Sequence, residues 1–78
     1  MSYGYTKRLS SLNKEASNSM LGVKLGRVCI RKEVPVTEVA LHLGVSRQTV
    51  YNWFMGMHEP TETLSDAIKK LIAEYRQR

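Results

Sequence analysis

Four polar residues near the middle of the 78-residue chain have the most distinctive chemistry: Arg47, Gln48, Thr49 and Asn52. An arginine guanidinium can donate two hydrogen bonds to the O6 and N7 atoms of guanine, and a primary amide can pair with adenine N6 and N7 in the same way. On the exposed face of one helix, these side chains would meet base edges in the major groove of DNA. Without such a partner, polar residues on a helix surface are simply hydrated. Their assignment to base recognition therefore depends on the elements that position them.

The sequence offers little for catalysis or metal binding. Cys29, His42 and His58 are too few soft ligands for a closed zinc site. There is no nucleophile with a base and an orienting group, and no phosphate-binding glycine-rich loop. We therefore expect no enzyme activity, no metal, no cofactor and no small-molecule substrate.

Basic charge is concentrated in the first half of the chain. Residues 1–35 hold seven basic and two acidic side chains, whereas residues 36–78 hold five of each, so the whole net charge of +5 lies in the first half. Such a field favours a polyanion, and charge alone leaves nucleic acid, an anionic membrane surface and a merely solvated surface open. No apolar run approaches the roughly 18 residues of a membrane span, so we expect a cytoplasmic protein without a membrane partner.

The periodicity of apolar residues predicts where the outer elements lie. Residues 1–17 show no sustained period and are predicted to form a flexible basic N-terminal arm, and residues 18–78 are predicted to form the folded domain. A first helix should run from residue 18 or 19 to about residue 33, because Pro35 disfavours helical geometry at Val34. A last helix is predicted for residues 62–76, capped by Thr61 or Thr63. Its apolar stripe comprises Leu64, Ile68, Leu71, Ile72 and Tyr75.

Between these elements the sequence predicts two short helices joined by a glycine. Thr37 is expected to cap the second helix, Gly44 to end it in a left-handed conformation, and Ser46 to cap a third helix over residues 47–55. Ala40 is small where the two helices would cross, and Val50 would fill the space beneath the turn. This spacing is typical of a helix-turn-helix.

The third helix would turn its apolar residues inward and its polar residues outward. Val50, Trp53 and Phe54 are predicted core residues, which argues against Trp53 as a stacking platform for single strands. The exposed face would then carry Arg47, Gln48, Thr49, Tyr51 and Asn52.

Residues 37–60, TEVALHLGVSRQTVYNWFMGMHEP, resemble the core of the Cro/phage-repressor superfamily, often called the XRE family. The matching positions are Ala40, Gly44, Val45, Ser46, Val50, Trp53, Gly56 and Pro60. The resemblance implies a compact all-α, lambda-repressor-like domain of four to five helices that regulates transcription by binding operator DNA. It also implies that Arg47, Gln48 and Asn52 read bases.

The chain departs from the resembling family at two places. The family commonly pairs an arginine of its first helix with a glutamate of its third, and the matching residues here are Cys29 and Phe54, which we expect to meet in the core. Many relatives also have a further C-terminal helix that builds the dimer. We expect a homodimer formed through the region from Glu62 onward.

Phosphate contacts are expected around the reading helix. Helix N-termini suit anions, which nominates Thr37 and Ser46, and Tyr51 and His58 are further candidates. Lys7 and Arg8 of the arm, with Lys14, are expected to follow the backbone and to add affinity without specificity.

The leading hypothesis is a sequence-specific double-stranded DNA-binding regulator in a bacterial cell or a phage-infected host, acting as a repressor. One alternative is a helix-turn-helix module for phage DNA packaging or replication initiation, which a large oligomer would favour. The other alternative is a protein-interaction scaffold that uses the last helix.

Overall fold

Apolar residues at helical spacing fold residues 6–78, the part of the chain described by the computed structural model, into five α-helices. The helices are α1 (Lys7–Glu15), α2 (Leu21–Lys32), α3 (Val36–Leu43), α4 (Arg47–Phe54) and α5 (Glu62–Arg76). Within this range there is no β-strand, which confirms the predicted all-α class. None of these helices is long and apolar enough to cross a membrane.

Helix α2 lies at the centre of the fold and packs against α1, α4 and α5. Its residues Leu25, Val28 and Cys29 join one core with residues of every other helix. The predicted core residues Val50, Trp53 and Phe54 are buried there. The apolar stripe of α5 also faces this core, with Ile68, Leu71, Ile72 and Tyr75 buried and Leu64 partly buried.

Two glycines of α2 allow α4 to approach closely. A Cβ atom at Gly22 would lie 2.6 Å from the Cβ of Trp53, and one at Gly26 would lie 2.8 Å from the Cγ of Phe54. Both distances are shorter than atoms tolerate, so the crossing requires residues without side chains. The position and orientation of α4 therefore depend on these two glycines.

The predicted turn between α3 and α4 is present, but α3 begins earlier than predicted. Gly44 is left-handed, with a φ of 66°, and the Thr49 N–H donates to the Ser46 hydroxyl at 3.2 Å, as the N-cap prediction required. Thr37 is not the N-cap of α3. The helix begins at Val36 after Pro35, whose ring fixes a suitable φ of −69° and whose carbonyl accepts from the Glu38 N–H at 3.1 Å.

The prediction of a flexible arm is wrong for residues 7–15, which form α1. Thr6 caps this helix by accepting a hydrogen bond from the Leu9 N–H at 3.1 Å, and the helix buries Leu9 and Asn13. At the other end, an Arg27 amino group donates to the Ala16 carbonyl at 2.9 Å and to the Lys14 carbonyl at 3.1 Å. The folded unit therefore includes α1, and residues 1–5 lie outside the described residues.

Asn13 anchors α1 through its buried side chain. Its amide nitrogen donates to the Phe54 carbonyl at 2.7 Å and to the Val23 carbonyl at 3.3 Å. One side chain therefore joins three helices. Asparagine is mostly exposed in proteins, and a buried amide needs partners of this kind.

Asn13→Ala is expected to lower the free energy of unfolding by about 2 kcal/mol, because it removes buried hydrogen bonds and leaves a space between helices. Urea denaturation followed by circular dichroism measures this change. Ser11→Ala is the matched control, since Ser11 is exposed on the same helix. Equal stability of the two variants would contradict the anchoring role of Asn13.

Candidate nucleic-acid interface

Burial of one side of α4 leaves its polar side facing solvent. Val50 and Phe54 are completely buried and Trp53 is 4% exposed, so the opposite face points away from the core. Arg47 and Gln48 are exposed on it, and Thr49, Tyr51 and Asn52 are partly exposed. The five polar residues predicted to leave the core therefore all reach solvent.

Hydrogen bonds within α4 order part of this face. The Gln48 amide nitrogen donates to the Asn52 amide oxygen at 3.1 Å, one helical turn away. The hydroxyls of Ser46 and Thr49 are 2.9 Å apart at the start of the helix. Gln48 and Asn52 form a joined pair of amides, whereas the Ser46 and Thr49 side chains are engaged in capping.

The residues predicted to contact phosphate surround α4 in separate surface grooves. Thr37 and Ser46 share a groove between α3 and α4 with Arg47. Arg8 and Tyr51 share a second groove, between α1 and α4. His58 lies in a third, beside Thr49 and Asn52.

Lys7 is the exception among the predicted site residues, because it lies on the side of α1 that faces α2. All the others line a groove beside α4 or lie on its exposed face. Folding therefore brings these residues together around one short helix, although Arg8 and His58 are 50 residues apart in the sequence. The arrangement offers hydrogen-bond donors and acceptors in the centre and a basic side chain at the edge.

Leu41 is a residue of this surface that the sequence interpretation missed. It is 83% exposed and lies in the groove with Thr37 and Arg47. Apolar side chains contact the methyl group of thymine in major-groove recognition. The helical spacing of Leu41 relative to the buried Val39 and Ala40 indicates its outward position, and that signal was available in the sequence.

The end of α5 is held against α3 by charge. Arg78 forms a salt bridge and two hydrogen bonds with Glu38, and its guanidinium carbon lies 4.8 Å from the centre of the Tyr75 ring. The Glu38 carboxylate, the acidic group nearest the start of α3, is thereby paired. This pairing reduces the repulsion that an approaching phosphate would meet from α3.

Cys29 has no environment suited to nucleophilic or metal chemistry. Burial raises the pKa of its thiol to about 12, and the nearby negative charge of Glu38 acts in the same direction. The thiol therefore stays protonated at neutral pH. Among residues 6–78, no three His, Cys, Asp or Glu side chains come together in a group that could hold a metal ion.

Cys29 and Phe54 occupy the positions where the resembling family places an ion pair. Both are completely buried in the same hydrophobic core, and neither reaches the surface. Apolar groups of suitable shape can replace a buried ion pair without loss of stability.

No family model matches this chain, and no curated protein or solved structure is significantly similar to it. The resemblance to the Cro/phage-repressor superfamily thus depends on the residues of positions 37–60 and stays a prediction.

Proposed function

We propose that this protein is a sequence-specific double-stranded DNA-binding transcriptional regulator that reads the major groove with α4. The observation that carries the proposal is the arrangement of α3 and α4. The two helices are joined at the left-handed Gly44, and α4 exposes Arg47, Gln48 and Asn52 while its apolar side is buried. A helix-turn-helix docks in this manner, with the N-terminal part of its second helix against base edges.

Each exposed residue has a role in the proposed complex. Arg47 binds a guanine through two hydrogen bonds, and the amides of Gln48 and Asn52 bind adenine. Thr49 is the fourth base-reading candidate, although its hydroxyl also contacts Ser46. The phosphates on either side are bound by Thr37, Ser46, Tyr51, His58 and Arg8, whereas Lys7, the remaining phosphate candidate, lies in the separate groove between α1 and α2.

The protein acts in this proposal as a Cro-like repressor in the cytoplasm of a bacterial cell or a phage-infected host, where it occupies a promoter. Helix α4 has eight residues. At 1.5 Å per residue it is about 12 Å long, which corresponds to about three or four base pairs of duplex. One copy therefore reads too few bases for a selective site, and a homodimer is the proposed binding unit.

The dimer contact cannot be the apolar stripe of α5. That stripe is already buried against the core of its own chain, with Ile68 and Tyr75 at most 1% exposed. A contact in the region from Glu62 onward has to use the outer face of α5. Its exposed residues include Asp66, Lys69 and Lys70.

Selection of bound duplexes from a random pool tests both parts of the proposal. We expect a defined motif with two half-sites about 34 Å apart, because two copies would face the same side of the duplex. Sedimentation of the selected complex should give two chains per duplex. Recovery of duplexes with no common sequence would contradict specific binding, and one chain per duplex would contradict the dimer.

A further inference from the structure

The groove between α1 and α2 gathers basic side chains that the proposed reading face leaves unused. Lys7 and Lys14 lie on its α1 side, together with the hydroxyl-bearing Ser10 and Ser11, and Arg27 and Arg31 lie on its α2 side. No carboxylate lines this groove. We refer to these six residues as the basic groove.

The cations of the basic groove have no acidic partners. Across residues 6–78 the one ion pair within 4.0 Å joins Arg78 to Glu38, and neither of these residues lines the groove. Lys7, Lys14 and Arg31 are exposed, so their charged groups face solvent. Arg27 is held in place by its hydrogen bonds to the end of α1 and adds a fixed positive charge.

Folding brings these positive charges into one groove. Lys14 and Arg31 are 17 residues apart in the sequence, and only the packing of α1 on α2 brings them into one groove. Like charges in one groove repel one another, and an anion bound between them would remove that repulsion. Hydroxyl groups in the same groove as the cations suit an anion that accepts hydrogen bonds, as phosphate oxygens do.

Helix α1 also connects this groove to the proposed reading face. One side of α1 carries Arg8 and shares a groove with Tyr51 of α4, and the other side carries Lys7 and Lys14 of the basic groove. A duplex on the reading face therefore has to extend past α1 to reach the basic groove, whereas a second duplex can reach this groove directly.

We propose that the basic groove is a second phosphate-binding site, which takes the phosphodiester backbone of double-stranded DNA away from the bases that α4 reads. The inference rests on the proposed function, because α4 brings the duplex to the protein. The backbone has two possible sources, namely a flanking part of the same duplex or a second duplex.

The test compares a groove variant, Lys14→Gln with Arg31→Gln, with a control variant, Lys24→Gln with Lys32→Gln. Both variants lose two positive charges, and the control residues lie on α2 without lining the groove and outside the proposed dimer contact. Arg27 is left intact because it caps α1. Circular dichroism melting of each variant confirms that it is folded.

Affinity for the selected site is measured across a salt series. The logarithm of the binding constant falls with the logarithm of salt concentration by about 0.9 for each phosphate that the protein neutralises. The groove variant should therefore show a slope shallower by about 2 than the parent protein. The control variant should keep the parent slope.

Duplex length identifies the source of the backbone. The protein is 30 Å in its longest dimension, which corresponds to about nine base pairs at about 3.4 Å each. A change of slope that is seen on duplexes of about 35 base pairs, but not on duplexes of about 15 that just contain both half-sites, assigns the groove to the flanking part of the same duplex. Energy transfer between two labelled short duplexes, lost in the groove variant alone, assigns it to a second duplex.

Equal slopes for the groove and control variants on every duplex, with no energy transfer that depends on the groove, would overturn the inference. Selective binding by α4 would be intact in that case, so the proposed function would stand. If the groove variant showed a shallower slope but the protein bound all sequences equally well, the result would support phosphate binding in the basic groove. It would contradict sequence reading by α4. Absence of binding to any duplex would overturn both.

Discussion

Gly22→Ala is expected to lower the free energy of unfolding by about 2 kcal/mol, although alanine is the better helix former by about 1 kcal/mol. The added Cβ would lie 2.6 Å from the Cβ of Trp53 and 3.0 Å from its carbonyl oxygen. Neither atom moves when a side chain rotates, so α2 and α4 have to separate. Overpacking of a core costs about 1–3 kcal/mol, and the backbone contact puts this position at the upper end.

Urea denaturation measures the loss of stability, with the fluorescence of Trp53, the single tryptophan, as the probe of the crossing. Separation of the two helices also displaces the exposed face of α4. Affinity for DNA should therefore fall in this variant even where most molecules are folded. A variant as stable as the parent protein would show that the crossing of α2 and α4 is looser than the structure indicates.

Gly44 provides a control that distinguishes lack of space from backbone conformation as the cause of a loss of stability. A Cβ there would meet no atom within 4 Å, but the residue is left-handed with a φ of 66°. Gly44→Ala should cost about 1 kcal/mol because of backbone conformation alone. Gly44→Asn should recover most of that cost, since asparagine tolerates the left-handed region. Gly22→Asn should recover nothing, because the problem at Gly22 is space.

Arg47→Ala is expected to weaken binding to the selected site by about 1–3 kcal/mol, which is about 5- to 150-fold in affinity. Arg47 is exposed in the first turn of α4, the end that enters the groove in the proposed complex. Its guanidinium matches one guanine much better than the other bases. The choice of base should therefore relax at one position of the site, and binding to random duplexes should change little.

Arg8→Ala is the matched comparison, since it removes the same side chain from an exposed position in the first turn of α1. A residue that binds phosphate should affect all sequences equally and make the salt dependence shallower by about 1. If Arg47→Ala weakened selected and random duplexes by the same factor, Arg47 would be a phosphate contact. Base reading would then have to be assigned to Gln48 and Asn52.

Local features of the sequence were sufficient to predict most of the helices. The stripe of Ile68, Leu71, Ile72 and Tyr75 predicted α5 over residues 62–76, and the structure has the helix at Glu62–Arg76. Gly44 and Ser46 marked the turn and the start of α4 correctly. These predictions succeeded because helical periodicity, caps and left-handed glycines depend on residues within a few positions of each other.

Tertiary structure alone decided the role of α1. This helix buries only one apolar residue, Leu9, and its second buried residue is the polar Asn13. Neither produces a clear apolar period, so the sequence predicted an arm. The Asn13 amide is satisfied by the Phe54 carbonyl, 41 residues away, and it fits only where Gly26 leaves space.

For the candidate site as well, the sequence predicted one part and only the tertiary structure decided the other. The sequence by itself placed Arg47, Gln48 and Asn52 on one helix and predicted their exposure, because Val50 and Trp53 between them are apolar. It could not show that Arg8 lies beside Tyr51, or that Lys14 and Arg31 share a groove, since charged surface residues carry no periodic signal that identifies their neighbours. Those neighbours were decided by the packing of α1 on α2 and α4, which depends on contacts between residues distant in the chain.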